Sequence, residues 1–393
     1  MKKTKKYNKS KNNYKLIFLV LSVIFFIARS VQMGYSISFK LAHPAATLYL
    51  FDYNFYFGTR TFVGSILTLL KDKITYQQIF GLNAFIYIAI IAAFVFLCLY
   101  SAKKAMTENN NILFLILIAF IVFPYSLIQY AGWIGSYDLY LCLFAVLSAL
   151  TALSKRAHWL FPILCIMAIF THYSFVLCYF PAVLSVHIYC IYSSENKPSR
   201  IASSALAFLS SFASTVYCVF FANNTIKMTR SELLSYMGDR LGMPASNERY
   251  IDAYYFNDEV ADMIITLQTR VFNQGFIKNS VLFFLPIILF FCLLWYNCII
   301  KTKKNQIFPY LCFLGTAAVN IALAFIIPEY PRWLTAATLS QFIIFFALMK
   351  KEEACVLNFL NRLNKTDTDI WFVIGVVVTV VSSLTITPYD VFQ

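Results

Sequence analysis

Charge is what this sequence has least of. Of its 393 residues, 13% are Asp, Glu, Lys or Arg, about half the share of a soluble domain. That scarcity excludes an ordinary soluble enzyme. It also excludes a disordered chain, which is rich in charge and poor in apolar residues. The ten cysteines all fall in apolar runs or in a lysine-bearing loop, so no disulfide framework is expected. No CxxC or Cys/His spacing suggests a metal. No Walker sequence is present, which argues against an ATP-driven pump in this chain. There is no strong internal repeat and no low-complexity tract.

What is there is apolar. Hydrophobic residues make up 60%, with 40 Phe and 26 Tyr, and the mean hydropathy is +0.68. A polytopic, all-α integral membrane protein is the class that fits, with aromatics facing lipid and headgroups. A bilayer needs about 20 apolar residues per helix. Eleven stretches reach or approach that length: 16–33, 79–100, 112–130, 139–153, 159–171, 174–192, 201–222, 280–300, 306–327, 333–349 and 370–387. The run 158–192 is too long for one helix. Lys155 and Arg156 precede it, and Lys197 and Arg200 follow it. It therefore goes out and returns, turning near Thr171-His172-Tyr173-Ser174.

The charge that exists sets the orientation. The segments 1–15, 101–111, 154–158, 193–200, 301–305 and 350–369 hold 20 of the 32 Lys/Arg and 6 of the 18 Asp/Glu. The whole net charge of +14 lies there, and the rest of the chain nets to zero. By the positive-inside rule these segments are cytoplasmic, with the N-terminus inside and the C-terminus outside. The basic charge then reports topology and anionic-lipid contact rather than nucleic-acid binding. No small-residue cleavage site follows the first apolar run, so it is read as a retained span. The expected location is the plasma (inner) membrane.

This divides the chain into a basic tail 1–15, a membrane module 16–222 of about seven spans, an extracytoplasmic helical cap 223–279, and a second module 280–393 of about four spans. Within the first module the outside loop 34–78 carries apolar residues at 56, 62, 63, 66, 67 and 70. That spacing predicts an interfacial helix over 55–70. Thr75-Tyr76-Gln77-Gln78 reads as a capping box opening the second span. In the cap, Thr229-Arg230-Ser231-Glu232 is another, with Gly242 and Pro244 ending its helix. A second cap helix is expected over 258–272.

Charged residues near spans are functional candidates by default. They gather in the outside segments: Arg29, Asp52, Arg60, Asp138, His172, Glu329 and Arg332. Each has a plainer reading. Arg29 snorkels to headgroups, Asp52 is a solvated loop acid or cap, and Arg60 anchors the interfacial helix. Asp138 caps the fourth span, and Glu329 with Arg332 forms an exposed turn pair of little value. His172 is harder to dismiss, since its hairpin tip is short enough to sit below the membrane surface. His43 and His187 read as structural. Together the seven describe a chamber at the outer leaflet. Its arginines suit a diphosphate held by bidentate hydrogen bonds. A carboxylate or histidine there serves as base towards a sugar hydroxyl. Cations neutralise the charge on a departing diphosphate.

Three segments carry a resemblance: Gly135-Ser136-Tyr137-Asp138-Leu139-Tyr140, Ile169-Phe170-Thr171-His172-Tyr173-Ser174-Phe175 with Pro181 after it, and Pro331-Arg332-Trp333. On these, and on its general shape, the chain resembles bacterial cell-surface polysaccharide polymerases, the O-antigen, capsule and EpsG-like exopolysaccharide proteins. The resemblance implies a membrane glycosyltransferase acting on an undecaprenyl-diphosphate-linked oligosaccharide. Arg29, Arg60, Glu329 and Arg332 would bind substrate. Asp52 or Asp138 would act as base or metal ligand, and His172 would orient the acceptor. A divalent metal is the one cofactor entertained. The partners implied are the lipid-linked glycan, membrane lipids and other polysaccharide-assembly proteins. The chain is also similar to GT-C-type lipid-dependent glycosyltransferases, where Asp52 would be the catalytic acid. A transporter or flippase is the reading from another class, and an acyltransferase is a fourth.

Overall fold

The computed structural model describes residues 2–40, 48–193, 197–242, 269, 274–327, 329–365 and 369–385. All regular elements among them are helical. Seven helical segments are long and apolar enough to cross a membrane: Tyr14–Tyr35, Tyr76–Glu108, Asn111–Trp133, Lys197–Thr225, Gly275–Lys301, Ile307–Ile326 and Tyr330–Lys350. Four shorter apolar helices are Asp138–Leu153, Ala157–Thr171, Phe180–Tyr192 and Asp369–Leu384. Each of the eleven apolar stretches thus contains helix among the described residues.

The helices run alternately between two ends of the bundle. At one end lie the polar loops of the candidate site; at the other lie most of the lysines. From the lysine end, α1 (Lys2–Lys40) runs towards the site end. There the chain forms a tight loop and a short helix, α2 (Phe62–Leu70). Helix α3 (Tyr76–Glu108) returns, opened by the Thr75–Gln78 capping box and closed by left-handed Asn109. Asn110 caps α4 (Asn111–Val122) by accepting from the Leu113 N–H, so two adjacent asparagines make the turn. Beyond a 3₁₀ turn, Leu127–Trp133, come α5 (Asp138–Leu153), α6 (Leu160–Thr171), the single turn α7 (Phe175–Cys178) and α8 (Phe180–Tyr192). Helix α9 (Lys197–Val216) ends in a π-helical turn, Tyr217–Phe221. The cap helix α10 (Arg230–Leu241) has both halves of the Thr229–Glu232 capping box and a left-handed Gly242 at its end. Then follow α11 (Gln274–Asn279), a second π turn at Ser280–Phe284, α12 (Leu285–Lys301), α13 (Ile307–Ile326), α14 (Tyr330–Lys350), α15 (Ala354–Leu363) and α16 (Asp369–Thr385).

Helix α14 is the central post. In its most apolar window 94% of residues are buried, against 17% for α1 and 22% for α9, which lie on the outside. Apolar side chains gain little from leaving lipid for protein, so close packing and interhelical hydrogen bonds hold such a bundle. Gln341 on α14 accepts from the Trp295 indole at 2.6 Å and donates to Thr316 at 2.6 Å and the Phe313 carbonyl at 3.1 Å. Between α7 and α8 the helix breaks at Tyr179, and the Cys178 carbonyl accepts from Asn320 at 3.0 Å and Ser340 at 3.1 Å. Irregular backbone inside the bundle is tolerated because protein donors satisfy it. At the lysine end, buried Lys15 bonds Asn109 Oδ1 at 2.7 Å and lies 3.7 Å from Asp369. This ties α1 and α16 to the α3–α4 turn.

Two sequence expectations change. The helix expected over 55–70 begins only at Phe62. Upstream, the Asn54 N–H turns back to Asp52 Oδ1 at 2.9 Å, and Arg60 adopts a φ of 67°. The left-handed conformation at Arg60 is incompatible with a continuing helix. Asp138 is not the cap of α5: Tyr137 stands at that position, and Asp138 is the first helical residue. The cap helix expected over 258–272 lies almost wholly outside the described residues, as does His43.

Candidate functional site

The loop 48–61 organises the site end. Its backbone is tied on three sides. The Arg60 N–H donates to the Thr171 carbonyl at 3.2 Å, and the Tyr173 N–H donates to Thr59 Oγ1 at 3.1 Å. The loop therefore seals the carboxyl end of α6. On the second side, Tyr137 Oη lies 2.5 Å from the Leu48 carbonyl and 2.9 Å from that of Arg60. Tyr49 Oη reaches the Gly135 carbonyl at 2.8 Å, and Gly135 holds a φ of 107° open to glycine alone. On the third side, the Lys227 N–H donates to the Phe55 carbonyl at 2.9 Å; beyond α2, the Ile74 N–H donates to the Arg240 carbonyl at 2.9 Å. Helix α2 approaches so closely that a Cβ on Gly64 would stand 1.8 Å from the Phe51 carbonyl oxygen.

This scaffold sorts the seven candidates into two clusters and one outlier. The first cluster joins Arg60, His172, Asp138, Glu329 and Arg332. Arg332 Nε donates to Asp138 Oδ1 at 2.7 Å, and its Nη1 to Glu329 Oε2 at 2.9 Å. Asp138 is buried, and its other oxygen accepts from Ser136 Oγ at 2.7 Å. Arg60 Nη2 lies 3.3 Å from His172 Nε2. Burial, then the charges of Arg60 and Arg332, hold the His172 imidazole well below its ordinary value of 6.5. It is therefore neutral at physiological pH.

A neutral imidazole carries one proton. His172 Nδ1 accepts from the Ser174 N–H at 3.1 Å. The Nε2 side of the ring faces Arg60 Nη2. Arg60 and Arg332 thus bring two guanidinium groups to the His172 side chain, and guanidinium donors suit anionic oxygen acceptors.

The second cluster is built on Asp52, which is buried. Its Oδ2 lies 2.7 Å from Thr68 Oγ1, 2.5 Å from Tyr236 Oη and 3.1 Å from Arg240 Nη1. Arg240 is 5% exposed, and its Nη1 also reaches the Leu50 carbonyl at 3.1 Å. Burial, then the bond to Asp52, raises the Tyr236 phenol above its ordinary value. With its oxygens so occupied, Asp52 clamps cap helix α10 to the loop that carries Arg60. Arg29 is the outlier. Its hydrogen bond goes to Gln32 on its own helix at 2.7 Å, and it makes no ion pair with the other six. His187 stacks on Phe161 and bonds the Ser148 carbonyl at 3.1 Å, a structural role.

Arg240, Tyr236 and Ser136 were not legible as site residues. Arg240 reads as a cation favourably placed in the last turn of a helix. Its spacing from Tyr236, one turn apart on a capped helix, was the available signal. Among the described residues no three His, Cys, Asp or Glu side chains stand close enough together to hold a metal ion. No known protein family, curated protein or solved structure matches this chain.

Proposed function

We propose that the protein transfers glycan between polyprenyl-diphosphate-linked oligosaccharides at the outer face of the plasma membrane. On this reading all eleven apolar helices span, the N-terminus is cytoplasmic, and the site end faces outwards. The observation that carries the reading is the meeting of Arg60 Nη2 and His172 Nε2 at 3.3 Å, beside Arg332 and its two carboxylates. That set supplies what glycosyl transfer from a diphosphate needs. Arg60 donates to phosphate oxygens, and so does His172 in the tautomer protonated at Nε2. Arg332, drawn towards the diphosphate, loosens from Asp138. Asp138 then takes the proton of the acceptor hydroxyl as that oxygen bonds the anomeric carbon. The carbon–oxygen bond to phosphate breaks, and polyprenyl diphosphate leaves with its charge neutralised by the two arginines. Asp52 serves as a positioning residue.

The experiment is mass spectrometry of lipid intermediates in cells lacking the gene, alongside a gel of their surface polysaccharide. Single repeat units with loss of long chains support polymerisation. A repeat short of one sugar supports a GT-C-type transferase using a polyprenyl-phosphate sugar. Complementation by Asp138→Asn or Arg60→Gln is expected to fail in either case. A second reading, a lipid flippase, draws on the π-helical turns at Tyr217–Phe221 and Ser280–Phe284, since such turns recur at functional sites. It takes precedence if intermediates and polysaccharide are both unchanged.

A further inference from the structure

A second feature lies at hydrocarbon depth, away from the polar clusters. Helices α4, α12, α14 and α16 enclose a groove of about 310 Å³, with Leu115, Ala119, Leu282, Phe290, Phe342 and Val378 among its walls. Its floor is buried at Ile116, Phe291 and Phe342, while Leu282 and Val378 on its rim are half exposed. The groove therefore opens sideways, towards lipid. Among the described residues its one polar side chain is Thr379, whose hydroxyl donates to the Gly375 carbonyl on its own helix at 2.6 Å. The wall thus presents no unsatisfied donor, and a glycan or phosphate has nothing to bind there.

The groove is a slot along the bundle axis. Along α4 and its C-cap it extends from Ile112 to Phe123, eleven residue steps or about 16 Å, half of a hydrocarbon core of about 30 Å. Its upper end leads to the site. Tyr125 follows Phe123 by two residues and is within hydrogen-bonding reach of Tyr330 and Asn279. Asn279 Nδ2 donates to Tyr330 Oη at 3.0 Å, and Leu282 follows Asn279 by three residues. Tyr330 adjoins Glu329 and precedes Arg332 by two. On α14, Phe342 lies ten residues from Arg332, about 15 Å along the axis and about 80° around it.

We infer that this groove holds the hydrocarbon chain of the same polyprenyl-diphosphate lipid whose phosphates sit at Arg60, His172 and Arg332. The inference rests on the proposed function. A single chain fits a slot at the lower end of the size range of ligand pockets, roughly 300–1,000 Å³. The charged headgroup site at its upper end distinguishes this lipid from the bulk bilayer.

The test uses the full chain in nanodiscs of phosphatidylethanolamine and phosphatidylglycerol. The probe is a polyprenyl diphosphate with a diazirine in an isoprene unit near the headgroup. Cross-links are expected within 112–123 and 282–291, and unlabelled polyprenyl diphosphate is expected to compete them away. Ala119→Trp fills the groove and is expected to lower saturable labelling about tenfold. Val378→Trp on the lipid-exposed rim gives the same direction and does not depend on repacking the interior. Ile88→Trp, on the lipid-facing side of α3, is expected to change nothing. If both groove variants label like wild type while Arg332→Gln abolishes labelling, the groove inference falls and the site reading stands. If a diacylglycerol diphosphate probe labels the groove equally and polyprenyl diphosphate does not displace it, the slot belongs to bulk lipid and the inference is overturned. If no labelling is saturable, both readings fall.

Discussion

The Asp138–Arg332 pair offers a sharp energetic test, because its two members do not have equivalent surroundings. The side chains are 4% and 15% exposed, and the contact is 2.7 Å. Removing one member of a buried pair costs about 3–5 kcal/mol, since the other charge stays buried without its counter-ion. Arg332→Gln does this to Asp138, which keeps only the Ser136 hydroxyl as a side-chain donor. Asp138→Asn is milder. Its amide oxygen still accepts from Ser136, and Glu329 still balances Arg332 at 2.9 Å. Glu329 is about a third exposed, so its share is partly screened. The expected cost is that of one charge-assisted hydrogen bond, about 1.5–3 kcal/mol. The double variant leaves no stranded charge at this contact. It should be more stable than the sum of the singles by about 1.5–3 kcal/mol, the upper part of the range of about 0.5–3 kcal/mol seen for residues in one network. The assay is a double-mutant cycle by SDS titration in mixed micelles, followed by tryptophan fluorescence. Singles that add to within about 0.5 kcal/mol would falsify the pairing. So would an Asp138→Asn variant less stable than Arg332→Gln.

Three further outcomes are expected. Gly64→Ala forces a Cβ against the Phe51 carbonyl and should destabilise by about 1–3 kcal/mol. Gly81→Ala, on α3 with nothing within 4 Å of its Cβ, should stabilise by about 0.5–1 kcal/mol; equal effects in thermal melts would refute the contrast. Arg240→Met strips Asp52 of its cation but leaves Thr68 and Tyr236 as donors. The cost should be near the low end of the range for breaking a buried pair, about 3 kcal/mol. It should be read as faster amide exchange across 230–241, with the helices around Gln341 unchanged. His172 has a folded-state pKa depressed below 6.5. Its neutral form stabilises the fold fully above that value, and the contribution is lost as pH falls below it, because the unfolded chain takes up the proton first. Wild type should therefore lose thermal stability between pH 6.5 and 5 more steeply than His172→Gln; parallel curves would contradict the assignment.

What the sequence determined by itself is whatever the bilayer or a single turn of backbone dictates. A span must be an apolar helix of about 20 residues, since its peptide groups have no other partners in lipid. Composition alone therefore located the eleven helical stretches. Both capping boxes, Thr75–Gln78 and Thr229–Glu232, close over four residues, so their formation depended on nothing distant. The helix expected over 55–70 failed for a reason the pattern did not contain. Its first half is held in turns by Thr171, Tyr137 and Lys227, from three other parts of the chain.

Only the tertiary structure decided the pairing. Asp52 meets Arg240 across 188 residues, and Asp138 meets Arg332 across 194. No local spacing records either contact. The sequence placed seven polar groups at one end of the bundle, because charge is excluded from its middle. Packing chose among them. It spread Arg29 along its own helix, filled Asp52 with donors from α2 and α10, and brought His172 to Arg60 over the end of α6. That last contact sets a guanidinium on the Nε2 side of the ring, while the Nδ1 side is taken by the Ser174 N–H.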